Sequence, residues 1–101
     1  MTIREFQDLI ARTYGGRDSA RGRGGTFLWF TEEVGELAEA LRLGDVAMMR
    51  EEFADVAAWL VSLANLAGVD LESAVAAKYG GGCSRCGEIP CRCEDPSADI
   101  D

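Results

Sequence analysis

Apolar side chains recur along this chain at spacings of three and four, the period of a helix and not of a strand. Ile3, Phe6, Leu9 and Ile10 share one face, and Thr2 with Glu5 has capping-box spacing, so a first helix is predicted over about residues 2 to 14. The stretch 15–25, GGRDSARGRGG, has too much backbone freedom in its glycines for regular structure and is predicted to be a loop. A second helix follows over about residues 26 to 43, with Phe27, Phe30, Val34, Leu37, Ala38 and Leu41 as its core stripe. Beside that stripe lie Trp29, Glu33, Glu36 and Ala40, while Glu32, Glu39 and Arg42 project further round. Gly44 and Asp45 suit a C-cap and an N-cap back to back, so a third helix, about 46 to 67, folds back antiparallel along the second. Phe53, Val56, Ala57, Leu60 and Ala64 form its expected core stripe, and Met48, Glu52, Asp55 and Trp59 share the adjoining face. Beyond Val56 this helix is apolar almost all round, which predicts burial in an oligomer. Gly68 closes it, Asp70 opens a shorter helix of about residues 71 to 79, and Gly80 to Gly82 end the globular part.

The fold expected is therefore all-α: an antiparallel bundle of about four helices over residues 1–79, completed by oligomerisation. Residues 80–101 form a cysteine-rich segment followed by an acidic tail, for which disorder is expected.

Two carboxylate pairs stand out against this pattern. Glu33 with Glu36, and Glu52 with Asp55, are each three apart, so each pair shares a helix face. Glu36 and Glu52 lie symmetrically about Gly44, so the antiparallel turn brings the pairs to one height. Four such carboxylates facing inward repel one another unless cations lie between them, which points to a divalent-metal site, magnesium first and manganese as the alternative. Glu39 or Glu51 taken singly needs no more than a solvated helix face.

Composition narrows the partners. Among 101 residues, 48% are hydrophobic, enough for one modest core. Asp plus Glu number 18 against 10 Lys plus Arg, with no histidine, giving a net charge of -8. This balance disfavours nucleic-acid backbones and anionic membranes, but a small phosphorylated substrate remains compatible once a metal reverses the local field. Charges from Arg4 onward argue against a signal peptide, and the run Val56 to Val69 is too short to span a bilayer, so a cytoplasmic location is expected.

The segment Glu32-Glu33-Val34-Gly35-Glu36, followed by Glu52-Phe53-Ala54-Asp55, resembles the E-E-x-x-E and E-x-x-D signature of the MazG-type nucleoside triphosphate pyrophosphohydrolases. The likeness covers about residues 1 to 79. It implies an all-helical oligomer, dimer or tetramer, that hydrolyses a nucleotide between its α and β phosphates to a monophosphate and pyrophosphate. It further implies Glu33, Glu36, Glu52 and Asp55 as magnesium ligands, with Glu32 as an outer ligand or an aid to water activation. The family often has an aromatic one turn after the last aspartate, where Trp59 stands. Trp29 and Trp59 are open to two readings, stacking on a base or packing in the core. Asn65 and Lys78 lie where relatives touch phosphate or base, though each also reads as an ordinary surface or interhelical residue. Arg17, Arg21 and Arg23 read either as a mobile basic lid over the triphosphate or as a solvated loop. A second enzyme of the superfamily, phosphoribosyl-ATP pyrophosphatase, is ranked lower: Val56-Ala57-Ala58-Trp59 stands where a tyrosine-histidine pair is expected.

Four cysteines fall within the last fifth of the chain. Cys83-Ser-Arg-Cys86-Gly has the form of a zinc knuckle, and Cys91-Arg-Cys93 supplies two more thiols for a tetrahedral site. An iron-sulfur or redox role, or reduced thiols with none, stays open, because C-x-C is a less usual half-site. The reading from a different class is a non-catalytic helical oligomer with a zinc-binding interaction module.

Overall fold

The computed structural model describes residues 1–94; the acidic tail, for which disorder was expected, lies outside the described residues. Among the described residues there are three helices and no strand: α1 (Ile3–Leu43), α2 (Val46–Ala67) and α3 (Leu71–Tyr79). The chain divides into two compact units, Met1–Leu71 and a second beginning at Glu72.

The first unit is a long helical hairpin whose ends carry the expected caps. Thr2 accepts from the Glu5 N–H at 3.0 Å, and Glu5 Oε1 accepts from the Thr2 N–H at 2.8 Å, which holds the exposed Glu5 carboxyl below its ordinary value. Gly44 ends α1 at φ 71°, and Asp45 Oδ1 accepts from the Met48 N–H at 3.2 Å to start α2. At the far end, Gln7 donates to the Val69 carbonyl at 2.7 Å and accepts from the Leu71 N–H at 2.9 Å, while Asn65 donates to the Gln7 carbonyl at 3.1 Å. The Arg4–Asp70 pair, 2.8 Å, adds an exposed tie at the same place.

The expected loop at 15–25 is not there. These residues belong to α1, broken only at Gly22, whose φ of 80° and ψ of 173° are open to glycine alone. Each glycine inside a helix costs about 1 kcal/mol relative to alanine, which made a loop the sequence-level expectation. What offsets it is a buried polar tie across the break. Asp18, 3% exposed, accepts from Arg21 Nη1 at 2.9 Å, and the same nitrogen reaches the fully buried Thr26 Oγ1 at 3.4 Å. Gly25 makes room for it, since a Cβ there would stand 2.7 Å from Arg21 Cγ. Arg21 lies 4.9 Å from the Trp59 ring centroid and Trp29 6.2 Å from it. On one straight helix those two would be about 12 Å apart along the axis, so the break returns the chain to the same level of α2.

The core stripes assigned from periodicity are also corrected. Phe27, Val34, Ala38, Leu41, Phe53, Ala57 and Leu60 are exposed in the single chain, whereas Phe30, Leu37, Val56 and Ala64 are half-buried. The face α1 turns to α2 runs through Thr26, Phe30, Glu33, Leu37 and Ala40, and α2 answers with Met49, Glu52, Val56 and Trp59. The hairpin is thus rotated toward the carboxylate stripe. The buried apolar side chains are Ile10, Ala40 and Val61, a small core for two helices of this length.

Candidate active site

The rotation of the hairpin puts acidic residues between the helices. One carboxylate oxygen each from Glu33, Glu36 and Glu52 lies within 4.8 Å of the others. Glu33 and Glu36 come from consecutive turns of α1 and Glu52 from α2, so the short Gly44–Asp45 turn is what makes them neighbours. Oε2 of Glu33 and Oε2 of Glu52 are buried with no hydrogen-bond partner. Such orphaned acceptors are costly. Burial pushes the Glu33 carboxyl up from 4.5 to about 7, helped by the adjacent Glu52 carboxyl and the charges of Glu36 and Asp55. A divalent cation would satisfy both orphaned oxygens and offset the repulsion, and hard oxygen donors are the set magnesium takes. The residues present therefore fit the ion that the family signature implies.

Asp55 is close enough for its charge to act on Glu33, but its oxygen is not one of the three clustered atoms. It opens instead onto a cavity of about 280 Å³ lined by Tyr14, Arg17, Asp18, Arg21, Asp55 and Trp59, with Ala58 and Ser62. That is near the lower end of small-ligand pockets, about 300 Å³. Trp29 and Trp59 stack on each other, with ring planes 12° apart; Trp59 is half-buried and Trp29 is 48% exposed. Glu32 is exposed and outside the three-carboxylate cluster. Arg23 is exposed and does not line the cavity. Asn65 lies elsewhere, bonded to Gln7 and lining a different cavity of about 320 Å³ with Arg4, Asp70 and Val69. Lys78 belongs to the second unit, its Nζ 5.5 Å from the Tyr79 ring centroid. The four cysteines also lie in the second unit, with their sulfurs within 4.8 Å of one another.

Sequence reasoning missed Tyr14 and Asp18. Asp18 Oδ2 is buried without a hydrogen-bond partner, and Asp18 lines the cavity. The available signal was its spacing of three from Arg21, which reads as an ion pair once the segment is taken as helical.

Among the described residues this is an all-α protein whose helical hairpin brings together three glutamates that could hold a cation, with an aromatic-lined cavity beside Asp55. Residues 24–81, more than half of the chain, match the MazG nucleotide pyrophosphohydrolase domain, and the chain belongs to that family. Membership points to a hydrolase of the nucleotide pyrophosphohydrolase type. No match was found among curated proteins. Tyr14, Arg17, Asp18 and Arg21, half of the cavity lining, precede the matched region.

Proposed function

We propose that the protein hydrolyses a nucleoside triphosphate between the α and β phosphates, with magnesium, in house-cleaning or control of the nucleotide pool. The observation that carries this reading is the pair of buried, partnerless oxygens on Glu33 and Glu52, within a cluster that Glu36 completes. Manganese would occupy the same donors. In this reading Glu33, Glu36, Glu52 and Asp55 hold the cations and Glu32 orients water from the outer side. Bound cations supply charge neutralisation for the phosphate oxygens and acidify the attacking water.

The chain's own part is positioning. The oxygen of water attacks the α phosphorus in line, the bond from that phosphorus to the bridging oxygen breaks, and pyrophosphate leaves. Asp55 stands between the carboxylate cluster and the cavity, so a nucleotide with its phosphates at the cations would place its base against Trp59 and Tyr14. Stacking on Trp59 would be sequence-tolerant, whereas the free Asp18 oxygen would select a base presenting an N–H. Arg17 and Arg21 lie at the same cavity and would meet phosphate or sugar oxygens.

The apolar stripe of Phe27, Val34, Leu41, Phe53 and Leu60 supports a homo-oligomer, since single chains rarely leave such a row to water. A reducing, cytoplasmic setting suits the free thiols.

The test is incubation with magnesium and a panel of canonical and modified nucleoside triphosphates, with products separated by chromatography and Glu52→Gln run in parallel. Monophosphate plus pyrophosphate, lost in the variant, is the expected result. Diphosphate plus orthophosphate would move the cleavage to the wrong bond, and no turnover of any nucleotide would overturn the reading.

A further inference from the structure

The second unit contains a cluster of four cysteines to which the proposed reaction assigns no role. α3 buries none of its residues, and every described residue from Gly80 to Glu94 is exposed or only half-buried. The segment is nevertheless folded. The Gly87 N–H donates to the Cys83 carbonyl at 2.9 Å and the Cys83 N–H to the Glu88 carbonyl at 3.2 Å, closing a turn with Gly87 at φ 73°. At Gly82, φ 111°, an added Cβ would stand 2.6 Å from Ile89 Cγ1 and 3.1 Å from the Glu88 carbonyl oxygen, so two passes of the chain meet there. A unit this small without a buried apolar core requires a cross-link of another kind.

The sulfurs have the arrangement of one. All four lie within 4.8 Å of one another, and Cys83 and Cys93 are 3.8 Å apart. Zinc bound by four thiolates at about 2.3 Å in a tetrahedron sets neighbouring sulfurs about 3.8 Å apart. A disulfide would need about 2.05 Å. Iron-sulfur clusters spread their thiolates over several irons, whereas sulfurs drawn together this closely fit one ion. Backbone N–H groups already aim at three of them: Arg85 at Cys83 Sγ, 3.4 Å, Arg92 at Cys86 Sγ, 3.5 Å, and Cys93 at Cys91 Sγ, 3.3 Å. Outer-shell donors of this kind orient thiolate ligands and soften their charge. Four thiolates around Zn²⁺ leave two negative charges, and Arg85 and Arg92, each adjacent to a cysteine in sequence, carry two positive ones.

We infer that Cys83, Cys86, Cys91 and Cys93 form a closed structural zinc site that holds the segment after α3 in its folded form. Each thiol that binds releases its proton to solvent, and no electron is transferred. With four protein ligands the ion has no open position, so it braces and does not catalyse.

The experiment uses the full chain, purified under reducing conditions, with metal content measured by mass spectrometry. One zinc per chain is expected, and Cys91→Ser or Cys93→Ser should lower retained zinc about tenfold or more after dialysis against a mild chelator. Wild-type protein stripped and titrated with Co²⁺ should develop the intense thiolate charge-transfer and tetrahedral ligand-field bands of a four-sulfur site, saturating at one equivalent. Glu33→Gln, altered in the other unit, should bind zinc as wild type does. Iron in place of zinc, an octahedral cobalt spectrum, or wild-type content far below one zinc per chain would overturn the assignment.

Discussion

The chain carries two clusters of metal-type donors, built in opposite ways. Glu33, Glu36 and Glu52 are set on two long helices joined by the Gly44–Asp45 turn, and the pairing of those helices brings the carboxylates together against their own repulsion. Cys83, Cys86, Cys91 and Cys93 sit on turns with no buried apolar side chain around them, where the ligands themselves are what gathers the chain. Hard donors held apart from equilibrium by a rigid frame suit an ion that acts on a substrate; soft donors on a frame with no core suit an ion that makes the frame. The difference teaches where stability should respond to metal and where activity should.

The sharpest way to break this contrast is Glu52→Gln. Turnover should fall on the order of 10²- to 10³-fold while the metal-free melting temperature stays level or rises, because one repelling charge is gone. A parallel fall in stability would show that the carboxylates brace the hairpin. Stripping zinc tests the other side: amide exchange over residues 82–93 should quicken about tenfold or more, with protection in α1 and α2 unchanged. Equal loss in both units would erase the distinction. Trp59→Ala has a smaller expected effect, raising KM about tenfold through lost base stacking and leaving zinc content unchanged.

The smallest effect concerns pH. Glu33 binds its proton more tightly folded, at about 7, than at its ordinary value of 4.5, so between those values the native state holds more protons than the unfolded one. Metal-free stability should therefore fall as pH rises through that window. Thermal scans from pH 4.5 to 7.5 should show the decline flattened in Glu33→Gln and opposed by added magnesium. A rise with pH in the metal-free wild type would contradict the raised Glu33 value.

Much of the hairpin was legible because caps and turns are local. Thr2 with Glu5, Gly44 with Asp45, and Gly68 each act within a few residues, and the starts and ends of α2 and α3 fall where those residues place them. The approach of Glu33 and Glu36 to Glu52 was legible for the same reason, from a spacing of three and a two-residue turn, whereas the expected fourth member, Asp55, lies outside the three clustered oxygens. The stretch 15–25 was not, because its glycines report a local preference that a buried contact between Asp18, Arg21 and Thr26 overrides. Nor was the rotation of the hairpin. Apolar positions span more than half of each helix's circumference, and periodicity cannot say which part meets the neighbouring helix and which part is left outward.

By itself, then, the sequence determined an all-helical chain, its cap positions, the antiparallel return at Gly44, and two donor sets, one of oxygen and one of sulfur. Only the tertiary structure decided that Phe27 and Phe53, expected in the core stripes, are left exposed in the single chain. It alone placed Tyr14 and Asp18 beside Asp55, and separated Asn65 from the carboxylates. The physical reason is range: caps and spacings act over one or two turns of backbone, while the choice among apolar faces is made by contacts between residues tens of positions apart.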